Sequence, residues 1–238
     1  MRTHKKESTW MSVSDIMTGL MVIFMFIAIN YILKKEKEQA VQNQIIENYK
    51  NTKLALLEEL NKEFENDFKP ENWNAFINED LSIRFVDERV LFDRDSDSIK
   101  RDFQLILDDF FPRYLKILLK KEYKASVAEI RIEGHTDSRG DYMYNVDLSQ
   151  RRTANVLSYL LDSNKTLISE LSQDDQTLIR YWFTANGFSY GRTLDSNGFY
   201  TLNTGSREDR AKSRRVEFRI MVKSDDIIQQ VINQMGND

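Results

Sequence analysis

Residues 134–160 read GHTDSRGDYMYNVDLSQRRTANVLSYL, and they decide the fold. The stretch before them, Val127–Glu133 (VAEIRIE), alternates apolar and polar residues, as a half-buried strand does. Gly134–Gly140 is a polar loop, and Asn145–Leu161 takes up helical periodicity. A strand therefore feeds a polar loop that runs straight into a helix.

Working outward, Leu81–Asp93 (LSIRFVDERVLFD) predicts two short strands with a turn near Asp87-Glu88. Ile99–Lys121 predicts an amphipathic helix that turns Phe103, Ile106, Leu107, Phe110, Leu115, Leu118 and Leu119 to a core. Pro112 is placed to break or kink it. Leu178–Phe183 leads into a strand or turn near Ala185–Phe188. Residues 195–213, with Gly198 and Gly205, read as a long surface loop. Arg215–Val222 (RVEFRIMV) is a strongly patterned final strand, and Asp225–Met235 a short amphipathic helix. The predicted fold class is α+β, in the order β-α-β-α-β, with helices on one face of the sheet.

The rest of the chain is of another kind. From Ile16 to Leu33 there is no charge, and Asp15 stands at the mouth of this run. A span starting at Trp10 or Met11 reaches the roughly 20 residues a bilayer core requires. The run continues into LKKEKEQ with no small-residue cleavage site, so it reads as an uncleaved single-pass anchor and not a signal peptide. Trp10 and Tyr31 suit the two interfaces. Basic residues on the two sides are nearly balanced, so charge does not set the orientation. A carboxylate at a bilayer edge is costly and reads by default as functional, the alternative being an interfacial Asp that reaches headgroup water.

Residues 34–70 predict a helical linker, with Ile46, Tyr49, Leu56, Leu60 and Phe64 near heptad spacing. They suit a short coiled coil in a self-dimer or a helix packed on a partner. The expected division is therefore 1–10 N-terminus, 11–33 transmembrane helix, 34–70 linker, 71–223 globular domain and 224–238 tail helix. Among 238 residues there is no cysteine and there are two histidines, His4 and His135, which disfavours Cys- or His-based metal centres. A net charge of −4 gives no support for nucleic-acid binding.

The segment from Gly134 resembles the OmpA-type peptidoglycan-binding domain. The matching residues are Gly134-His135-Thr136-Asp137, Gly140, Tyr144-Asn145, Leu148-Ser149, Arg152, Val156, Gly187 and Arg214-Arg215-Val216-Glu217-Phe218. Ser213 stands where the family has Asn. The resemblance covers about residues 85–223. It implies a site for the zwitterionic end of diaminopimelate, in which Asp137 takes the ammonium and Arg152 the carboxylate through its planar fork. Asn145, with nearby backbone amides, adds hydrogen bonds, and Tyr144 and Leu148 shape the pocket wall or the core beneath it.

A lone His135 is weak as a catalytic base or metal ligand, and a role in holding the loop by hydrogen bonds is favoured; no enzyme activity is expected. Arg151 reads as a solvated charge. Asp93, Asp95 and Asp97 fail the calcium-loop pattern, because Ser98 and Gln104 stand at its glycine and glutamate positions, so a turn and helix cap is expected.

Trp10-Met11-Ser12-Val13-Ser14-Asp15-Ile16-Met17-Thr18 resembles the start of MotB-type stator subunits. That likeness implies Asp15 as the ion-carrying carboxylate, with Thr18 at i+3 on the same helix face and Ser12 and Ser14 able to assist. It further implies two such chains within a ring of five multi-pass MotA-related partners, and no cofactor beyond the ion, H⁺ being favoured over Na⁺. A wall-binding domain would put the C-terminal domain in the periplasm and the N-terminus in the cytoplasm, at the bacterial inner membrane. Within this group the chain is most similar to the membrane unit of the Zorya anti-phage defence system, its B component working with a ZorA-like subunit. A flagellar stator and a passive wall anchor without ion transport are the alternatives.

Overall fold

The computed structural model describes residues 4–86 and 91–223, with side chains from residue 13 onward. The turn expected at Asp87-Glu88, the tail helix at 224–238 and the side chain of Trp10 lie outside the described residues. The chain divides into two compact units, Met1–Asn48 and Tyr49–Asp238.

Helix α1 spans His4–Phe64. Within the first unit it contains an apolar window of 18 residues, long and apolar enough to cross a membrane. Ile16, Met17, Leu20, Met21 and Phe24 are exposed on it, an arrangement suited to lipid or a partner and not to water.

The second unit opens with the last turns of α1. Leu56, Leu60 and Phe64 recur at i, i+4 and i+8, and each is almost fully buried in the domain core. The apolar stripe read as a coiled-coil seam is thus taken up, from Leu56 onward, by the chain's own fold. Next come β1 (Ala75–Ile77), β2 (Ser82–Phe85), α2 (Arg101–Leu118), α3 (Lys121–Lys124) and β3 (Val127–His135). They are followed by α4 (Tyr142–Ser163), α5 (Lys165–Glu170), α6 (Gln173–Trp182), β4 (Phe183–Gly187), α7 (Thr201–Thr204), α8 (Arg210–Ser213) and β5 (Arg215–Val222). The α+β class holds.

The sheet order is β1-β2-β5-β3-β4. Strands β3 and β4 are parallel and are joined through α4, α5 and α6, as a parallel pair requires a crossover. The pairs β1–β2, β2–β5 and β3–β5 are antiparallel. One face is apolar: Ile83, Phe85, Ile130, Ile132, Val216, Phe218 and Ile220 are buried there. Phe110 of α2 packs on Phe218 with ring centroids 5.2 Å apart, and Phe111 meets Phe183 at 5.4 Å.

Three expectations need correction. Only β2 forms from the predicted strand pair at Leu81–Asp93 within the described residues; Phe92 makes an isolated bridge to Ile99 instead. Pro112 does not break α2, which runs through it. Residues 195–213 are more than a loop. Asp195 accepts from the backbone N–H groups of Asn197 (2.9 Å) and Phe199 (3.0 Å), and Asp209 caps α8. Buried Ser213 accepts from Leu194 N–H at 3.0 Å.

Candidate peptidoglycan-binding site

Helix α4 begins where the loop after β3 ends. Asp141 caps it by accepting from the backbone N–H of Tyr144 at 3.0 Å. Two glycines let the helix lie close to the sheet. A Cβ on Gly134 would stand 2.8 Å from the Ser149 carbonyl oxygen, and one on Gly187 would stand 2.4 Å from the Gln150 nitrogen. Gly140 turns the loop at φ +88°, a conformation that side chains disfavour.

A cavity of about 500 Å³ opens between this loop, α4, the 91–95 segment and the start of β5. Asp137, Tyr144, Asn145, Leu148 and Arg152 all line it. The fold therefore gathers every residue expected at the wall-binding site.

Their roles differ in detail. Arg152 donates from Nε to the Ser96 carbonyl (2.8 Å) and from Nη2 to the Asp93 carbonyl (3.0 Å), and its guanidinium lies 4.8 Å over the Phe92 ring. Burial depresses its pKa, with Asp95 and Tyr144 opposing, but a guanidinium so placed keeps its charge. Asp137 is 5% exposed. Burial works to raise its pKa; hydrogen bonds from the Arg139 side chain and backbone and from Arg214 outweigh this and hold it at about 2. Both charges expected of a zwitterion site are thus present at neutral pH.

Asn145 spends its amide hydrogens on the loop, donating to the carbonyls of Arg139 (2.8 Å) and Asp141 (3.0 Å). Leu148 is buried, whereas Tyr144 is half-exposed, with its hydroxyl 3.5 Å from Asp95. Three residues outside the expected set complete the site. Arg139 and Arg214 both donate to Asp137. Glu208 accepts from Ser138 N–H at 3.1 Å, tying the 195–213 segment to the loop. The adjacency of Arg139 to Asp137 was a signal available in the sequence; the Glu208 contact, 70 residues away, was not.

On the sheet face opposite the apolar one lies an ionic lattice. Register sets Glu133 of β3 opposite Glu217 of β5, and Arg84 of β2 opposite Glu217. Like charges in that position repel, and four guanidiniums offset them. Arg84 (2.8 Å), Arg215 and Arg219 (2.9 Å) pair with Glu217; Arg192 (3.2 Å) and Arg219 (3.1 Å) pair with Glu133. Glu133, His135 and Glu217 converge closely enough to ligate a metal. That many fixed cations around them argues against another positive ion, because it would have to displace buried ion pairs.

His135 does not hold the loop by hydrogen bonds, contrary to expectation. Neither ring nitrogen has a hydrogen-bond partner among the described residues. The ring is stacked on Phe188, with centroids 5.3 Å apart and planes 11° from parallel. The expected acidic cap on α2 is also absent: its N-cap is Lys100, which makes no side-chain cap, and Lys100 pairs with Asp93 at 2.8 Å. Arg151, read as solvated, bonds Asp97 at 2.9 Å and also Asp147.

In the first unit, Asp15 and Thr18 are exposed on α1. The Thr18 hydroxyl donates to the Ser14 carbonyl at 2.9 Å, so its hydrogen is engaged by the helix itself.

The fold and site define an OmpA-type domain, and residues 91–191 match the OmpA family. The similarity to known proteins extends beyond that domain. "Zorya protein ZorB" of an Escherichia coli strain is 36% identical over 234 residues, covering 94% of this chain and 92% of that protein. A second protein of that name, from another Escherichia coli strain, is 29% identical over 224 residues, covering 89% of this chain and 79% of that protein. A solved chain described as a MotB-like protein of Desulfovibrio vulgaris is 21% identical, with a TM-score of 0.48, covering 77% of this chain and 99% of that one. The chain belongs to the ZorB family.

Proposed function

We propose that this chain is the wall-anchored, membrane-embedded subunit of an ion-driven motor complex in Zorya anti-phage defence. Its C-terminal unit holds peptidoglycan through the cavity at Asp137 and Arg152, and Asp15 relays the ion, H⁺ in preference to Na⁺. The N-terminus is cytoplasmic and the second unit periplasmic. Two chains work inside a ring of five multi-pass ZorA-like (MotA-related) partners. The observation that carries the reading is the joint placement of Asp137 and Arg152 on one cavity, in a chain that also bears a carboxylate at the mouth of an apolar span.

The chemistry supports the assignment. The free end of diaminopimelate carries an ammonium and a carboxylate, and the cavity offers a buried carboxylate and a fixed guanidinium. A carboxylate at a membrane edge is costly unless a partner or water supports it, which suits a group that works inside a partner ring. Anchoring gives such a ring something to push against.

The test is phage protection in cells carrying the complete system with Asp15→Asn, or with Asp137→Ala plus Arg152→Ala. Both are expected to lose protection by at least about tenfold in plaque count, while the protein stays in the membrane fraction. Full protection by Asp15→Asn would leave a passive anchor as the better reading. Full protection by the double variant would remove wall anchoring from the mechanism.

A further inference from the structure

The carboxylate assigned to the ligand's ammonium is already occupied by the chain itself. Asp137 Oδ1 accepts from the Arg139 backbone N–H (3.0 Å) and from Arg139 Nε (3.2 Å). Oδ2 accepts from Arg139 Nε (3.1 Å), from Arg139 Nη2 (2.7 Å) and from Arg214 Nη1. A carboxylate has about four lone-pair positions, so both oxygens are in use.

The two guanidiniums are not equivalent. The Arg214 side chain is 20% exposed and directly precedes β5, so it is part of the wall. The Arg139 side chain is 53% exposed and lies on the loop. The loop has ties that do not involve that side chain. Glu208 holds the Ser138 N–H, Asn145 holds the Arg139 carbonyl, and Gly140 makes the turn. The Arg139 guanidinium is on the exposed side of its pair with Asp137, and can therefore leave it while the loop backbone stays tied.

We propose that Arg139 is an internal competitor, whose guanidinium occupies the position of the ligand's ammonium and must swing into solvent before a zwitterion binds. This deepens the wall-binding reading and rests on it. The consequence is a reduced apparent affinity, since only the fraction of molecules with Arg139 displaced is competent to bind. Arg139 then sets how selective the site is: a lone ammonium gains little by displacing a bonded guanidinium, whereas a ligand that also engages Arg152 gains both contacts.

The test is calorimetric titration of the full-length protein in detergent with meso-diaminopimelate. Arg139→Gln is expected to bind about three- to tenfold more tightly than the unaltered protein, the range set by a half-exposed, multiply bonded ion pair. Arg139→Lys, which keeps a competing cation, should stay near the unaltered affinity. Pimelate, which lacks the ammonium groups, should gain nothing from Arg139→Gln. A damaged fold cannot produce a gain of affinity, so the readout separates competition from structural loss. Equal or weaker binding of meso-diaminopimelate by Arg139→Gln, with the unaltered protein binding, overturns the competitor role and leaves the wall-binding reading intact. If neither form binds meso-diaminopimelate or sediments with sacculi, the wall-binding reading itself fails, and the competitor role with it.

Discussion

The His135 ring is held by packing, its nitrogens making no hydrogen bond among the described residues. Its side chain is fully buried, stacked on Phe188 and 3.6 Å from Glu133. Burial, reinforced by the charges of Arg215, Arg192 and Arg219, holds its pKa well below the usual value, with Glu217 opposing. In the unfolded chain His135 protonates near pH 6.5; in the folded chain it does so only at lower pH. Between those two values the unfolded state binds more protons, so stability falls as pH falls below about 6.5 and continues to fall toward the lowered folded value. Urea midpoints should therefore be flat above about pH 7 and decline below about pH 6, and His135→Leu should flatten that decline. A decline of the same size in His135→Leu would contradict the account. At this scale the shared location of Asp137, Tyr144, Asn145, Leu148 and Arg152 was legible: they lie within one loop and one helix, and all five line one cavity. The job of His135 was not legible, because its neighbours come from β5 and from residue 192, remote in sequence.

At the scale of elements, α1 and β5 show how a pattern can be right and its use unforeseen. The spacing of Leu56, Leu60 and Phe64 fits a helix, but periodicity does not say whether the apolar stripe meets a partner or the same chain. Here Phe64 packs on Phe110 at 5.2 Å and Phe68 at 5.3 Å, and Arg113 of α2 pairs with Glu63 (2.7 Å) and Asp67 (2.8 Å). Phe64→Ala should therefore cost about 3–5 kcal/mol of stability, as core truncations of this size do. Leu54→Ala, at a position 62% exposed, should stay within about 0.5 kcal/mol. Similar denaturant midpoints for the two variants would mean that this stretch is not part of the domain core. In β5 the strong patterning marks a strand, but the polar residues Arg215 and Glu217 are buried, because residues 192–213 cover their face. Two-residue periodicity identifies the two faces of a strand but not what a distant segment lays over them.

For the whole molecule, the two units carry two kinds of chemistry on one chain. Tyr49–Asp238 presents an anchored carboxylate and guanidinium on a cavity, and Met1–Asn48 presents Asp15 on an apolar helix. An ion-driven complex requires both: force without a fixed point moves only the complex, and an anchor without an ion path does no work. The two proposed roles therefore separate by substitution. The most direct measurement is co-sedimentation of the full-length, detergent-solubilised protein with purified sacculi. The unaltered protein and Asp15→Asn should sediment alike, and Asp137→Ala plus Arg152→Ala should sediment at least about tenfold more weakly, the loss expected when a charged pair is removed from each end of a zwitterion. Sedimentation of the double variant at the level of the unaltered protein would contradict the account.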